Sequence, residues 1–109
     1  MELSKKDKKT AREIIEAGLQ QEFAKALFDV DTILTGWKNK SKNNRDAYHS
    51  LYKHIIDFDK RIARRYDGMT GSKYLFIIAA QLLDGVISEN DLSDLSDEVR
   101  QAIKMIADI

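Results

Sequence analysis

The chain has 109 residues, one domain by length and enough for a single core. With 43% hydrophobic and 33% charged residues it is not a disordered chain. The absence of cysteine excludes disulfides, thiol nucleophiles and thiolate metal sites. The formal net charge is zero but unevenly spread: residues 36–73 carry an excess of six positive charges and residues 84–109 an excess of five negative ones. Such halves either neutralise each other or give a dipolar surface that attracts an anionic partner.

No proline interrupts the chain, so long helices are open to it. The first residues are basic, with no apolar run behind them; this is not a signal peptide, and the expectation is a cytoplasmic protein. Ser4 followed by Asp7 approximates a capping box and predicts a helix from about Lys5. Apolar residues recur at Ala11, Ile15, Leu19, Phe23, Ala26, Leu27, Val30, Ile33, Leu34 and Trp37, the spacing of one long helical face. Gly18 inside it costs about 1 kcal/mol relative to alanine and allows a bend. A second stripe, Ile14, Ala17, Gln21, Ala24 and Phe28, lies well around the helix from the first. A helix buried on one side has no need of Phe28 there. The stripe therefore reads either as a self-association surface of a homodimer or as the seat of the last helix of the same chain.

Gly36 and the polar run Lys38 to Asn44 end the first helix. Asn44, with Asp46 in the first turn, starts a second. Its expected core face is Tyr48, Leu51, Tyr52, Ile55, Ile62, Ala63 and Tyr66. Asp59 falls within that face, which predicts a buried carboxylate paired to a Tyr, Lys or Arg. The opposite side gathers His49, Lys53, His54, Lys60, Arg61, Arg64 and Arg65. A basic stripe of this kind either meets phosphates, those of nucleic acid included, or is a solvated face.

Asp67-Gly68 stops the second helix. Gly68 to Lys73 has the residue types of a phosphate loop without its G-x-x-x-x-G-K spacing, and no strand precedes it. Thr70, Ser72 and Lys73 at a helix start, with Arg64 and Arg65 just before, form a candidate anion-binding corner; the alternative is a turn rich in caps. Tyr74 to Leu83 is apolar nearly all round, with Gln81 its only fully polar residue, and so predicts a central helix wrapped by the others. It is far short of the roughly 20 residues that span a bilayer, and no membrane association is expected. Gly85 follows as its stop.

Asp84 to Leu92 resembles the second half of an EF-hand loop, but the first ligand positions fall on Ala80 and Leu82, which rules out calcium. Ser88 to Asp91 reads instead as one capped turn. Ser96-Asp97-Glu98 opens a last helix with Val99, Ala102, Ile103 and Ile106 on its apolar side. His49 and His54 are five apart and diverge on a helix, so no metal is expected. No catalytic signature or cofactor motif occurs. The reading is an all-α fold: a small four-helix domain over residues 1–109 with a long N-terminal helix hairpin and a buried central helix. Its expected role is a non-enzymatic protein-interaction or self-associating module. The alternative is an anion- or nucleic-acid-binding protein using the basic face of the second helix.

Overall fold

The structure, a computed structural model, describes residues 2–109. Four helices follow in order, α1 (Lys5–Lys38), α2 (Asn44–Tyr66), α3 (Tyr74–Leu83) and α4 (Asp97–Ala107), with 3-10 turns at Gly71–Lys73 and Glu89–Leu92. The fold is all-α, with the long N-terminal hairpin that the periodicity predicts and the central helix expected from the apolar run. Its contacts divide the chain into two compact units, Met1–Gln21 with Gly68–Ile109, and Glu22–Asp67.

In the first unit the start of α1 is capped as expected: the Ser4 hydroxyl accepts the Asp7 amide at 3.0 Å. The Asp7 side chain turns to another task. Its carboxylate accepts both the backbone N–H and the hydroxyl of Ser96, at 3.1 and 2.9 Å, and so caps the start of α4 from a distant part of the sequence. The core joins Ala11, Ile14 and Ile15 of α1 to Ile77, Ile78 and Ala79 of α3, Leu92 and Leu95 of the connection, and Val99 and Ile103 of α4, all buried. Each large aliphatic side chain among them contributes about 1.5–3 kcal/mol through burial. At the end of α3, Val86 N–H bonds to Gln81 C=O at 2.9 Å and Gly85 adopts φ +72°, the left-handed stop that a glycine favours. Ser88 and Asp91 form the predicted capped turn as a reciprocal capping box.

Gly18 has a purpose other than bending. Gln81 is wholly buried, and its amide donates to Ile15 C=O at 3.1 Å. A Cβ on Gly18 would come within 2.8 Å of Gln81 Cδ and closer still to Nε2. Only glycine lets α1 pass over that amide.

The central helix is not wrapped on every side. Tyr74, Ile77, Ile78, Ala79 and Gln81 are buried, but Phe76 and Leu83, seven residues apart on one stripe, are mostly exposed. The apolar run therefore serves a buried face and an open one.

The second unit is an antiparallel hairpin. As the α1 partner advances from Glu22 through Phe23 and Ala26 to Trp37, the α2 partner recedes from Arg65 through Phe58 and His54 to Asn44. The Asn43 side chain accepts Asp46 N–H at 2.9 Å and is the cap of α2, one residue before the predicted start. Between the helices α1 closes with Ser41 N–H on Gly36 C=O at 2.9 Å and Lys40 N–H on Trp37 C=O at 3.0 Å, Lys40 lying at φ +63°.

Candidate interaction surface on the helical hairpin

The face of α2 that meets α1 is not the most apolar one. Ala47 and Phe58 are its buried residues; Leu51 and His54 are half-buried, and the Arg65 side chain is largely covered. Their spacing of three, four and seven defines one helical face. It is turned by roughly 100°, one residue at 3.6 per turn, from the centre of the expected face (Tyr48, Leu51, Tyr52, Ile55, Ile62, Ala63 and Tyr66), and the two share Leu51 at their border. Two expectations are corrected as a result. Asp59 is exposed, not buried, because its place in the turned frame points away from α1. His54 leaves the basic side and points at α1, with Nε2 3.3 Å from Ala26 C=O and 3.9 Å from the Asp29 carboxylate.

A polar clasp sets the register at the open end of the hairpin. Glu22 accepts Arg65 Nη1 at 2.6 Å and the Tyr66 hydroxyl at 2.5 Å, with little of the Glu22 or Arg65 side chain exposed. The Phe23 and Phe58 rings meet at 5.6 Å, tilted by 58°, a favourable aromatic geometry. Arg61 lies over the same Phe58 ring at 5.7 Å, within cation–π reach.

Apolar side chains stand bare on both helices of the hairpin. Phe28 is 73% exposed and Leu27 68%, both on α1; Tyr48 is 68% exposed, Tyr52 60% and Ile55 46%, all on α2. Leu27, expected in the main core stripe, is thus a surface residue. The proposed self-association stripe is redistributed too: Ile14 is buried within the first unit, Ala17 and Gln21 are exposed, Ala24 is half-buried and Phe28 stands out in solvent. Ile14 is therefore withdrawn from it, because the chain's own core already covers that side chain.

The basic residues divide by what they touch. Lys53 pairs with Asp57 at 2.7 Å on the surface; that contact holds the Asp57 carboxyl below its ordinary range and the Lys53 ammonium above its own. His49, Lys60, Arg61 and Arg64 are exposed. Arg65 is taken up by Glu22 and so does not stand ready for a ligand. At the predicted anion corner Thr70 and Ser72 bring their hydroxyls to 3.0 Å from one another, and the Lys73 ammonium lies over Gly68. An open pocket of about 510 Å³ in the first unit is lined by Ser4, Asp7, Thr10, Asp94 and Ser96 among others. Its one buried carboxylate, Asp7, is engaged by Ser96; that backbone hydrogen bond, above all, holds the Asp7 carboxyl below its ordinary value of 3.8. Among the described residues no group of three or more His, Cys, Asp or Glu could hold a metal, and no helix is long and apolar enough to cross a membrane.

No protein family matches the sequence, and no curated relative matches it either. Among solved structures the chain is similar to the fluorescence recovery protein from Synechocystis sp PCC 6803. The two align with a TM-score of 0.80 over 98% of this chain and 99% of that one, at 20% identity. This likeness shows the fold.

Sequence reasoning missed Glu22, Phe58 and the Asp7–Ser96 cap. Gly18 was the one available signal for Gln81, since a glycine inside a strong helix marks a close approach. Nothing local announces Glu22, whose partners lie 43 and 44 residues away.

Proposed function

We propose that this chain is a non-enzymatic helical interaction module that associates with a second copy through the bare apolar side chains of its hairpin. The observation that supports the reading is the exposure of Leu27, Phe28, Tyr48, Tyr52 and Ile55 on a unit whose intrachain contact uses other residues. Scattered exposed apolar residues are ordinary, whereas several on one small unit favour an interface. Tyr and Phe are also residue types enriched at such contacts. A two-fold pair would set the same residues of both copies against each other, the commonest closed arrangement. Light scattering on Phe28→Glu tests this: a folded variant of half the wild-type mass is expected. Equal masses for the two proteins would overturn the proposal.

A second reading keeps the basic side of α2 as an anion or nucleic-acid contact, supported by the exposure of Lys60, Arg61 and Arg64. It requires retention on heparin at low salt that Lys60→Gln with Arg64→Gln abolishes. Flow-through of the wild type would end it.

A further inference from the structure

The turn that joins α1 to α2 is ordered, positively charged and flanked by aromatic rings. Lys38, Lys40, Lys42 and Arg45 lie within eight residues, against Asp46 alone, and all are exposed. Among the described residues none of these four cations has an ion-pair partner; Lys42 alone is engaged, donating to the Ser50 hydroxyl at 2.9 Å. The rings are placed as well. Trp37 Nε1 donates to Asn44 Oδ1 at 2.7 Å, which pins the indole beside the turn while leaving it 42% exposed. Tyr48 packs edge-on to His49 at 6.2 Å.

Lys40 is the telling residue. It occupies the left-handed position of the helix stop, at φ +63°, where glycine or asparagine is the favoured occupant and a lysine is strained. Residues 38–46 contain no apolar side chain, so between the flanking Trp37 and Tyr48 the turn offers no wedge to insert among lipid tails. Cations that track a backbone, with aromatic faces beside them, are instead the elements of single-strand recognition.

We propose that this tip, Trp37 to Tyr48, binds single-stranded nucleic acid, with Lys38, Lys40, Lys42 and Arg45 on phosphates and a base stacked on Trp37. The site is separate from the basic side of α2 and shares only Tyr48 with the apolar side chains assigned to self-association. Trp37 is the sole tryptophan of the chain, so its fluorescence reports on the tip alone.

The experiment titrates the full chain with oligodeoxythymidylate while following that fluorescence. Quenching is expected, with affinity falling about 50-fold between roughly 50 and 200 mM salt if four phosphates are engaged. Lys40→Gly should weaken binding while leaving the melting temperature equal or higher, because the strain is relieved. Lys60→Gln with Arg64→Gln should bind as the wild type does, which keeps this test distinct from that of the α2 face. No quenching at low salt, unchanged affinity in Lys40→Gly, or a response to phosphatidylserine vesicles without one to the oligonucleotide would each overturn the proposal.

Discussion

Replacing Gly18 by alanine separates two physical effects of opposite sign. Helix propensity alone favours the alanine by about 1 kcal/mol at an interior position. Against that, the new Cβ would lie within 2.8 Å of Gln81 Cδ, in a site with no exposure to solvent. Real Cβ atoms do not sit that close, so either α1 shifts or the Gln81 amide leaves Ile15 C=O. Overpacking of this kind costs about 1–3 kcal/mol, and loss of the hydrogen bond adds about 1 kcal/mol more. The expected balance is a net loss of about 1–3 kcal/mol, or some 5–15 °C in Tm for a chain of this size. Thermal and urea unfolding followed by circular dichroism would measure it. The second half of the test is Gly18→Ala in a Gln81→Ala background. With the amide gone, alanine at position 18 should become neutral or stabilising, so the sign changes between backgrounds. An alanine that stabilises the otherwise unaltered protein would refute the packing argument.

Other expectations follow from the same contacts. The Asp7 carboxyl is held below 3.8 in the folded chain, so its contribution is present above the unfolded value and lost as pH falls through the folded one. Asp7→Asn should therefore be less stable at neutral pH and show a flatter acid limb in unfolding below about pH 4; parallel limbs for both proteins would contradict this. Glu22→Gln removes the charge that the mostly covered Arg65 Nη1 meets. A cost of about 2 kcal/mol is expected, less than the 3–5 of a fully buried pair, and a change under about 0.5 kcal/mol would show that the clasp does not set the hairpin. Asp59→Leu, by contrast, should barely alter the unfolding midpoint in urea, since the side chain is exposed and surface changes usually stay within about 0.5 kcal/mol.

The local rules made most of the backbone legible. Ser4, Ser88 and Gly85 mark helix and turn boundaries by cap chemistry, Ser96 stands at the start of α4 with its hydroxyl on Asp7, α3 follows from its continuous apolar run, and the extent of α1 follows from apolar periodicity. What periodicity could not decide was which side of α2 turns inward. Counting apolar residues selects Tyr48, Leu51, Tyr52, Ile55, Ile62, Ala63 and Tyr66; α1 meets Tyr66 of these through Glu22, but otherwise Ala47, His54, Phe58 and Arg65. The choice is made by the fit of Phe58 against Phe23 and by the Glu22 clasp, both long-range in sequence and invisible to a window of a dozen residues. The same limit hid Gln81: an isolated polar residue in an apolar helix gives no hint of whether a glycine elsewhere has been left open for it. Of the expected core face Tyr48, Tyr52 and Ile55 stand bare, while Leu51, Ile62, Ala63 and Tyr66 are half-buried.

Sedimentation velocity of the wild-type chain over a hundredfold range of concentration, about 1 to 100 µM, reads self-association itself, since association through a modest interface must follow mass action. The expected result is a species of twice the 12.5 kDa chain mass that dissociates on dilution, and its loss in Phe28→Glu at every concentration. A single species of the chain mass throughout that range would contradict it.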